Sequence, residues 1–550
     1  MLRGLILLLA ALPLSLAAQS NADIRRGFDL LARDNPKLVT VSNLPVEGMF
    51  QVRIGPADKR VPAVLVIGSP FGDEQAPALA CLELARSLLA DAATRPMFDS
   101  AELLLIPIPN PQGRAAGLPG TLASLDDDRD GSVDEDGPTD LNGDGKITQM
   151  RVRRAGGRYI VHPDNPKLMI EAPAGKPGEF DLHWEGKDDD GDGRINEDAR
   201  GTVLLGNDWS IRWDGDNPGA NRFMMQLAET RALAEYVLAR PQIVCSIIVR
   251  SVGGEVRFAR GPAARGEKDP LARDKELAAH LAESLGEAES AVPLPPSGPG
   301  ALLDWLYECA GSRAFELGLA AIPKPPKAPD ADDKDEDGED DAGEGAPDKP
   351  DAPRGAKSAG SGRSKPADTD AAWAAHTPDR LHEWKKFNHP QLGEVEIGGW
   401  EITARRDAQA DATAAGTTRL VKLAGEVLRA LPHPKIDKVE VENKGDGLYR
   451  VRLTLNNAGL FDYRSTFAEA NTIGLPMFVQ LEDTKGVTLL SGTRRQRHEN
   501  IAGHGTATFE WFVKVTDTNT ELSFKLEAER TGGLGHKVAV KDCPALKSAE

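Results

Sequence analysis

The stretch AVLVIGSPFGDEQ, Ala63–Gln75, followed by ALACLELARSLLADA, Ala78–Ala92, decides the fold class. An apolar run that ends in Gly, Ser and Pro reads as a buried strand, and the apolar spacing after it reads as a helix. The alternation continues along the chain. ELLLIPIPNPQG, Glu102–Gly113, is a second buried strand. ETRALAEYVLARP, Glu229–Pro241, is a helix stopped by proline, and IVCSIIV, Ile243–Val249, is a third strand. Alternation from Asn21 to about Pro323 predicts an α/β layer architecture, an α/β/α domain with a largely parallel or mixed sheet.

Beyond Pro323 the composition changes. Residues 324–370 are rich in Pro, Asp, Glu, Gly and Lys and nearly free of large apolar side chains, so they cannot repay the entropy of ordering and read as a disordered acidic linker. Order is expected to return near Trp373, with 371–431 packing back on the first domain and a helix over Arg419–Leu431. From residue 432 to 543 the period is two. Tyr449, Val451, Leu453 and Leu455 share one face, as do Phe509, Trp511, Val513 and Val515, then Leu522, Phe524, Leu526 and Ala528. About seven such strands predict an immunoglobulin-like β-sandwich.

The 550 residues carry 66 Lys and Arg against 85 Asp and Glu, a formal charge of -19. That length needs two or more domains. An acidic chain is repelled by phosphate backbones and anionic lipid, which argues against nucleic acid or a bare membrane surface as partner. Residues 1–20, MLRGLILLLAALPLSLAAQS, join Arg3 to an apolar stretch and then small residues, the pattern of a cleaved secretory signal. No later run is long enough to span a bilayer, so the mature protein is expected in the periplasm or outside the cell. Cys81, Cys245, Cys309 and Cys543 are too few and too scattered for a disulfide scaffold, though one bridge stays open; Cys81 and Cys245 read as core residues.

Between residues 124 and 200 an aspartate-rich loop recurs. Asp126, Asp128 and Asp130 precede Gly131 and Val133, with Asp134 at the ninth position; Asp188, Asp190 and Asp192 precede Gly193 and Ile195, with Asn196 at the ninth. Asp140, Asn142, Asp144, Gly145 and Ile147 form a further copy, with Thr148 at the ninth. Oxygens at positions one, three and five converge on an ion when glycine at six turns the chain and an apolar residue at eight anchors it. Structural calcium is the expected cofactor. The bidentate glutamate of position twelve is replaced by Gly137, Ala199 and Arg151, so the expected affinity is weak, about 10⁻⁴ to 10⁻³ M.

With these segments in view, the chain resembles the zinc metallocarboxypeptidases of the carboxypeptidase A type, especially exported bacterial members with aspartate-rich insertions. GSPFGDEQ, Gly68–Gln75, resembles the family's His-Gly-Asp/Asn-Glu zinc turn, and IPNPQG, Ile108–Gly113, its Asn-Pro-Asp-Gly turn. GNDWSIRW, Gly206–Trp213, resembles the Asp-Leu-Asn-Arg-Asn-Phe segment, and IIVRSVGGEV, Ile247–Val256, the strand of the second zinc histidine. GALLDWLYECAGSRAFELGL, Gly300–Leu319, resembles the segment ending in the catalytic glutamate, and the likeness resumes at FNHPQLGEVEIGGW, Phe387–Trp400.

The resemblance implies zinc held by His, Glu and His, a catalytic carboxylate and an Asn-Arg carboxylate clamp. In this chain the zinc positions fall on Phe71, Glu74 and Arg250, the clamp on Ser210 and Ile211, and the catalytic glutamate on Gly318, with Glu316 two residues away. Asp208 and Asn110 are kept, but neither does the chemistry. None of the ten histidines precedes residue 162, so no shift of register restores one near Glu74. His280 and Glu283, the only His-x-x-Glu, lie in a polar helical stretch and read as a solvated pair.

Zinc and hydrolysis are therefore not expected, and a buried Glu74 is expected to pair with Arg250 where the dication would sit. The expected function is an exported, inactive peptidase-like protein binding a peptide or protein, with Arg212 and Arg250 as cleft cations. The alternatives are an active zinc metallocarboxypeptidase that trims C-terminal residues and a structural surface protein. The sequence sets no oligomeric state.

Overall fold

The structure is a computed structural model, and it describes residues 19–124, 133–134, 137–191, 193–196, 201, 203–214, 223–253, 256–259, 272–285, 292–294, 300–321, 366–404 and 410–545. The expected signal segment up to residue 18, the linker up to residue 365, and Asp126, Asp128, Asp130 and Asp192 lie outside the described residues. The chain divides into two compact units, one of residues 1–135, 197–321 and 406–550, the other of 136–196 and 322–405.

The first unit holds an eight-stranded sheet in the order Val39–Asn43, Phe50–Ile54, Glu102–Ile106, Ala63–Ile67, Ile243–Val252, Arg313–Ala320, Val256–Ala259, Val292–Leu294. The four central strands run parallel, and antiparallel pairings flank them. Burial on both faces explains their unbroken apolar runs. Val64 and Val66 point into one core with Leu103 and Leu105, where Ile24, Phe28, Leu84 and Leu88 of helices Asn21–Asp34 and Ala76–Ala90 meet them. Leu65 and Ile67 point into the other with Leu104 and Ile106, under Leu233 and Val237 of helix Ala228–Leu238 and Trp305 of helix Leu302–Glu308.

The segment 371–431 splits between the two units. Its C-terminal part is a helix, Ala410–Ala430, longer than the expected 419–431. Leu420, Leu423, Val427 and Leu428 lie on the first core at helical spacing. Gly416 brings this helix against strand Arg313–Ala320: a Cβ there would stand 2.1 Å from the Leu319 carbonyl oxygen. The earlier part, strands Leu381–His389 and Gly393–Glu401, pairs instead with strand Thr148–Gly157 of the aspartate-rich insertion. The second unit is thus a six-stranded sheet that the loop motifs alone did not announce.

The C-terminal region is a β-sandwich of two four-stranded sheets within the first unit. The residues read at period two line its interior, with Val451, Leu453, Trp511, Val513, Leu522, Phe524 and Leu526 fully buried. The sandwich is locked to the α/β domain by buried arginines. Arg313 donates to Asp274 at 3.1 Å, to the Asp462 carbonyl at 3.3 Å and to the Arg464 carbonyl at 3.0 Å. Arg530, 2% exposed, reaches the Ile243 carbonyl at 3.4 Å, and burial lowers its guanidinium to about 10. All four cysteines are free, and Cys81 and Cys245 are core residues.

Candidate functional site

Strand Ala63–Ile67 leads through its helix to Glu102–Ile106 on one side, whereas Ile243–Val252 leads towards Arg313–Ala320 on the other. The crevice outside the C-terminal ends of two such diverging strands is where open α/β sheets place ligands. The turn Gly68–Gln75 follows the first of these ends, and Arg250 lies near the second.

Local packing fixes the turn. Gly68 and Gly72 carry no side chain because a Cβ would stand 2.0 Å from the Pro107 carbonyl and 2.3 Å from Gly113. Gln75 donates to the Gly72 carbonyl at 2.8 Å, and the Gly72 N–H donates to the Pro119 carbonyl at 3.0 Å. Glu74 is left 2% exposed and facing the next strand.

Its partner is Arg250. The Arg250 Nε donates to Glu74 Oε1 at 3.0 Å and Oε2 at 3.1 Å, and Nη2 donates to Oε1 at 2.6 Å. The Ser251 N–H donates to Oε2 at 2.8 Å. The guanidinium lies over the Phe71 ring at 4.3 Å, and its Nη1 stands 3.5 Å from Glu316. Burial pulls the guanidinium down, yet Glu74 and Glu316 outweigh it and hold the group above its ordinary value. The pairing expected from the sequence is present. Glu316 was noted in the sequence without a role. Period two puts it on the face of Gly318, and Gly318 is in register with Arg250 across the parallel pair. Arg257 stands 3.9 Å from Glu316, so two cations face two carboxylates.

These residues do not fit a zinc ion. Phe71 has no donor atom, a guanidinium has no lone pair to give, and the Glu74 oxygens are taken by Arg250 and Ser251. The other sequence candidates are structural. Asp208, fully buried, accepts from the Leu227 N–H at 3.0 Å and so holds the residue that precedes helix Ala228–Leu238. Asn110 caps Pro111–Ala116 through the Gly113 N–H at 3.0 Å. Ser210 is exposed, and Ile211 packs against the second core. Arg212, at a left-handed φ of 43°, donates to Glu308 at 2.8 and 2.9 Å and also to Asp304. Arg212 and Arg250, expected to await an anionic group, thus already face carboxylates of the chain. Asp304 and Glu308 stand four apart on one helix, a spacing visible in DWLYE. His280 and Glu283 are exposed on helix Ala272–Ser284.

In the second unit two aspartate loops wrap alike. Asp140 accepts from the N–H groups of Gly143 and Gly145, both at 2.7 Å; Asp188 accepts from Gly191 at 2.6 Å and Gly193 at 3.0 Å. All four glycines have φ between 73° and 94°, the left-handed region. Asn142 Oδ1 accepts from the Asp144 N–H at 2.9 Å. Asp134 and Asn196, both at the ninth position, share a left-handed φ of 58° and 66°. Among the described residues no group of three or more His, Cys, Asp or Glu is placed to hold a metal.

A family profile described as a domain of unknown function, DUF8731, matches residues 433–539, the sandwich. No curated protein sequence matches the chain. Among solved structures the chain is similar to carboxypeptidase A from Helicoverpa armigera, at 12% identity over 56% of this chain and 65% of that one, with a TM-score of 0.36. It is similar to a metallo-carboxypeptidase from Burkholderia cenocepacia, at 11% identity over 53% and 58%, TM-score 0.31. A third is the metallo-carboxypeptidase from Pseudomonas aeruginosa in complex with (2-guanidinoethylmercapto)succinic acid, at 14% identity over 53% and 58%, TM-score 0.29. The chain spans less than two thirds of the length of each of these structures. Among the described residues no helix is long and apolar enough to cross a membrane.

Proposed function

We propose that the protein is an exported, catalytically inactive relative of the metallocarboxypeptidases that binds a peptide or protein, and that its C-terminal sandwich is immunoglobulin-like. The observation that carries the inactive reading is the Arg250 guanidinium seated on Glu74 at 2.6 Å, with Phe71 beneath it. A cation built into the chain neutralises the buried carboxylate, so the site has no ligand set for zinc and no metal-bound water to activate. Glu316 supports the same reading, because its carboxylate faces two arginines rather than an open position.

Metal analysis and a C-terminal release assay test this. The purified chain, incubated with zinc, should retain none stoichiometrically and release no residue from peptides; tight equimolar zinc with release would establish the active alternative. The double variant F71H/R250H, which installs histidines beside Glu74, should gain zinc affinity.

We also propose weak structural calcium at the aspartate loops, a reading supported by their shared wrap and glycine placement. Millimolar calcium should raise the thermal midpoint, and D140N/D188N should lose the increment. An unchanged midpoint in the parent protein overturns the proposal.

A further inference from the structure

The opposite end of the parallel strands carries a second concentration of charge. Strands Ala63–Ile67, Glu102–Ile106 and Ile243–Val252 begin there, and the Ala63 N–H donates to the Gln242 carbonyl at 2.8 Å. A cavity of about 440 Å³ opens at this end, with Gln51, Arg53, Glu102, Arg240 and Gln242 in its wall. That volume lies within the roughly 300 to 1,000 Å³ of small-molecule sites.

Glu102 is 5% exposed. Burial raises its carboxyl above the ordinary range, although Arg53, the Gln242 side chain, Arg240 and Arg60 oppose the shift. Arg53 Nη1 stands 3.7 Å from Glu102, too far for a hydrogen bond, and 3.3 Å from the Pro56 carbonyl. Arg240 lies over the Tyr236 ring at 3.8 Å and donates to the Tyr236 carbonyl at 3.0 Å. Among the described residues neither guanidinium makes a hydrogen bond to a carboxylate. Gln242 Oε1 is buried and has no hydrogen-bond partner among the described residues. The wall therefore offers the Glu102 carboxylate as an acceptor, with the Gln242 amide against it, beside two arginines with donor capacity to spare.

We propose that this cavity binds a small zwitterion of the α-amino acid class, its ammonium group on Glu102 and its carboxylate on Arg240 and Arg53. A lone anion would leave the acceptor unanswered, and a lone cation would meet two guanidiniums. Opposite charges on one small molecule satisfy both sets. The proposal does not rest on the reading of the Glu74 cleft.

Calorimetric titration of the full chain with glycine, L-serine, acetate, methylammonium and inorganic phosphate, each alone, tests it. Glycine and serine should bind saturably at millimolar concentration, and the single-charge probes should bind about tenfold more weakly or worse. R240Q and R53Q should each weaken glycine binding about tenfold, the loss of one charge-assisted contact, and R240K should lose less than R240Q. Circular dichroism confirms that each variant is folded; should R240Q fail to fold, R53Q and R240K carry the test. Absence of saturable glycine and serine binding overturns the proposal, as does binding indifferent to these substitutions. Phosphate or acetate binding as tightly as glycine would make the cavity a simple anion site and also overturn it.

Discussion

The two ends of one sheet treat buried charge in opposite ways. At the C-terminal ends of the parallel strands, Arg250 lies on Glu74 and within 3.5 Å of Glu316, so the chain supplies both signs and closes the account internally. At the N-terminal ends, Glu102 is also buried, yet its nearest guanidinium nitrogen stands 3.7 Å away and an amide oxygen beside it is unpartnered among the described residues. A carboxylate saturated by its own chain is a structural element, whereas one left beside spare donors and acceptors is a binding element. Burial alone does not distinguish the two; the distance to the counter-charge does.

The largest effect should come from breaking the saturated end. R250A leaves Glu74 buried and unpaired, which should cost about 3 to 5 kcal/mol in urea unfolding. Removing both charges, as in E74Q/R250M, should restore most of that loss, because an ion pair exchanged for neutral side chains of similar volume is often tolerated. A stable R250A protein would mean that Glu74 does not depend on its partner, and the contrast between the two ends would fail.

Much of this was legible in the sequence. Apolar runs such as Ala63–Ile67 and the two-residue period of Leu448–Asn457 are direct consequences of burial on two faces and on one, so the sheet and the sandwich could be read from pattern. The Glu74–Arg250 pair followed from charge: a buried carboxylate needs a cation, and Arg250 stood at the resemblance's second zinc-histidine position. The role of Glu316 was not legible because it depends on which strand lies beside Ile243–Val252, a fact of topology. The six-stranded sheet was missed for the same reason, since strand Thr148–Gly157 finds its neighbour Gly393–Glu401 more than two hundred residues later. The Glu102 cavity had no motif. Gln51, Arg53, Glu102 and Arg240 come from separate elements and meet only through the strand order.

A smaller effect sharpens the comparison at the open end. Glu102 is raised above its ordinary 4.5 by burial, so between pH 4.5 and its folded value the native state holds a proton that the unfolded state has lost. Its contribution to stability is complete below about pH 4.5 and declines as pH rises through the folded value. E102Q cannot titrate. The stability of the parent minus that of E102Q, measured by urea unfolding at a series of pH values, should therefore fall from pH 4.5 upwards and then level. Saturating glycine should flatten that fall, because an ammonium group on Glu102 favours its ionised form and draws it back towards the ordinary value. A difference that rises with pH, or one that glycine leaves unaltered, would place Glu102 with Glu74 among carboxylates answered by their own chain.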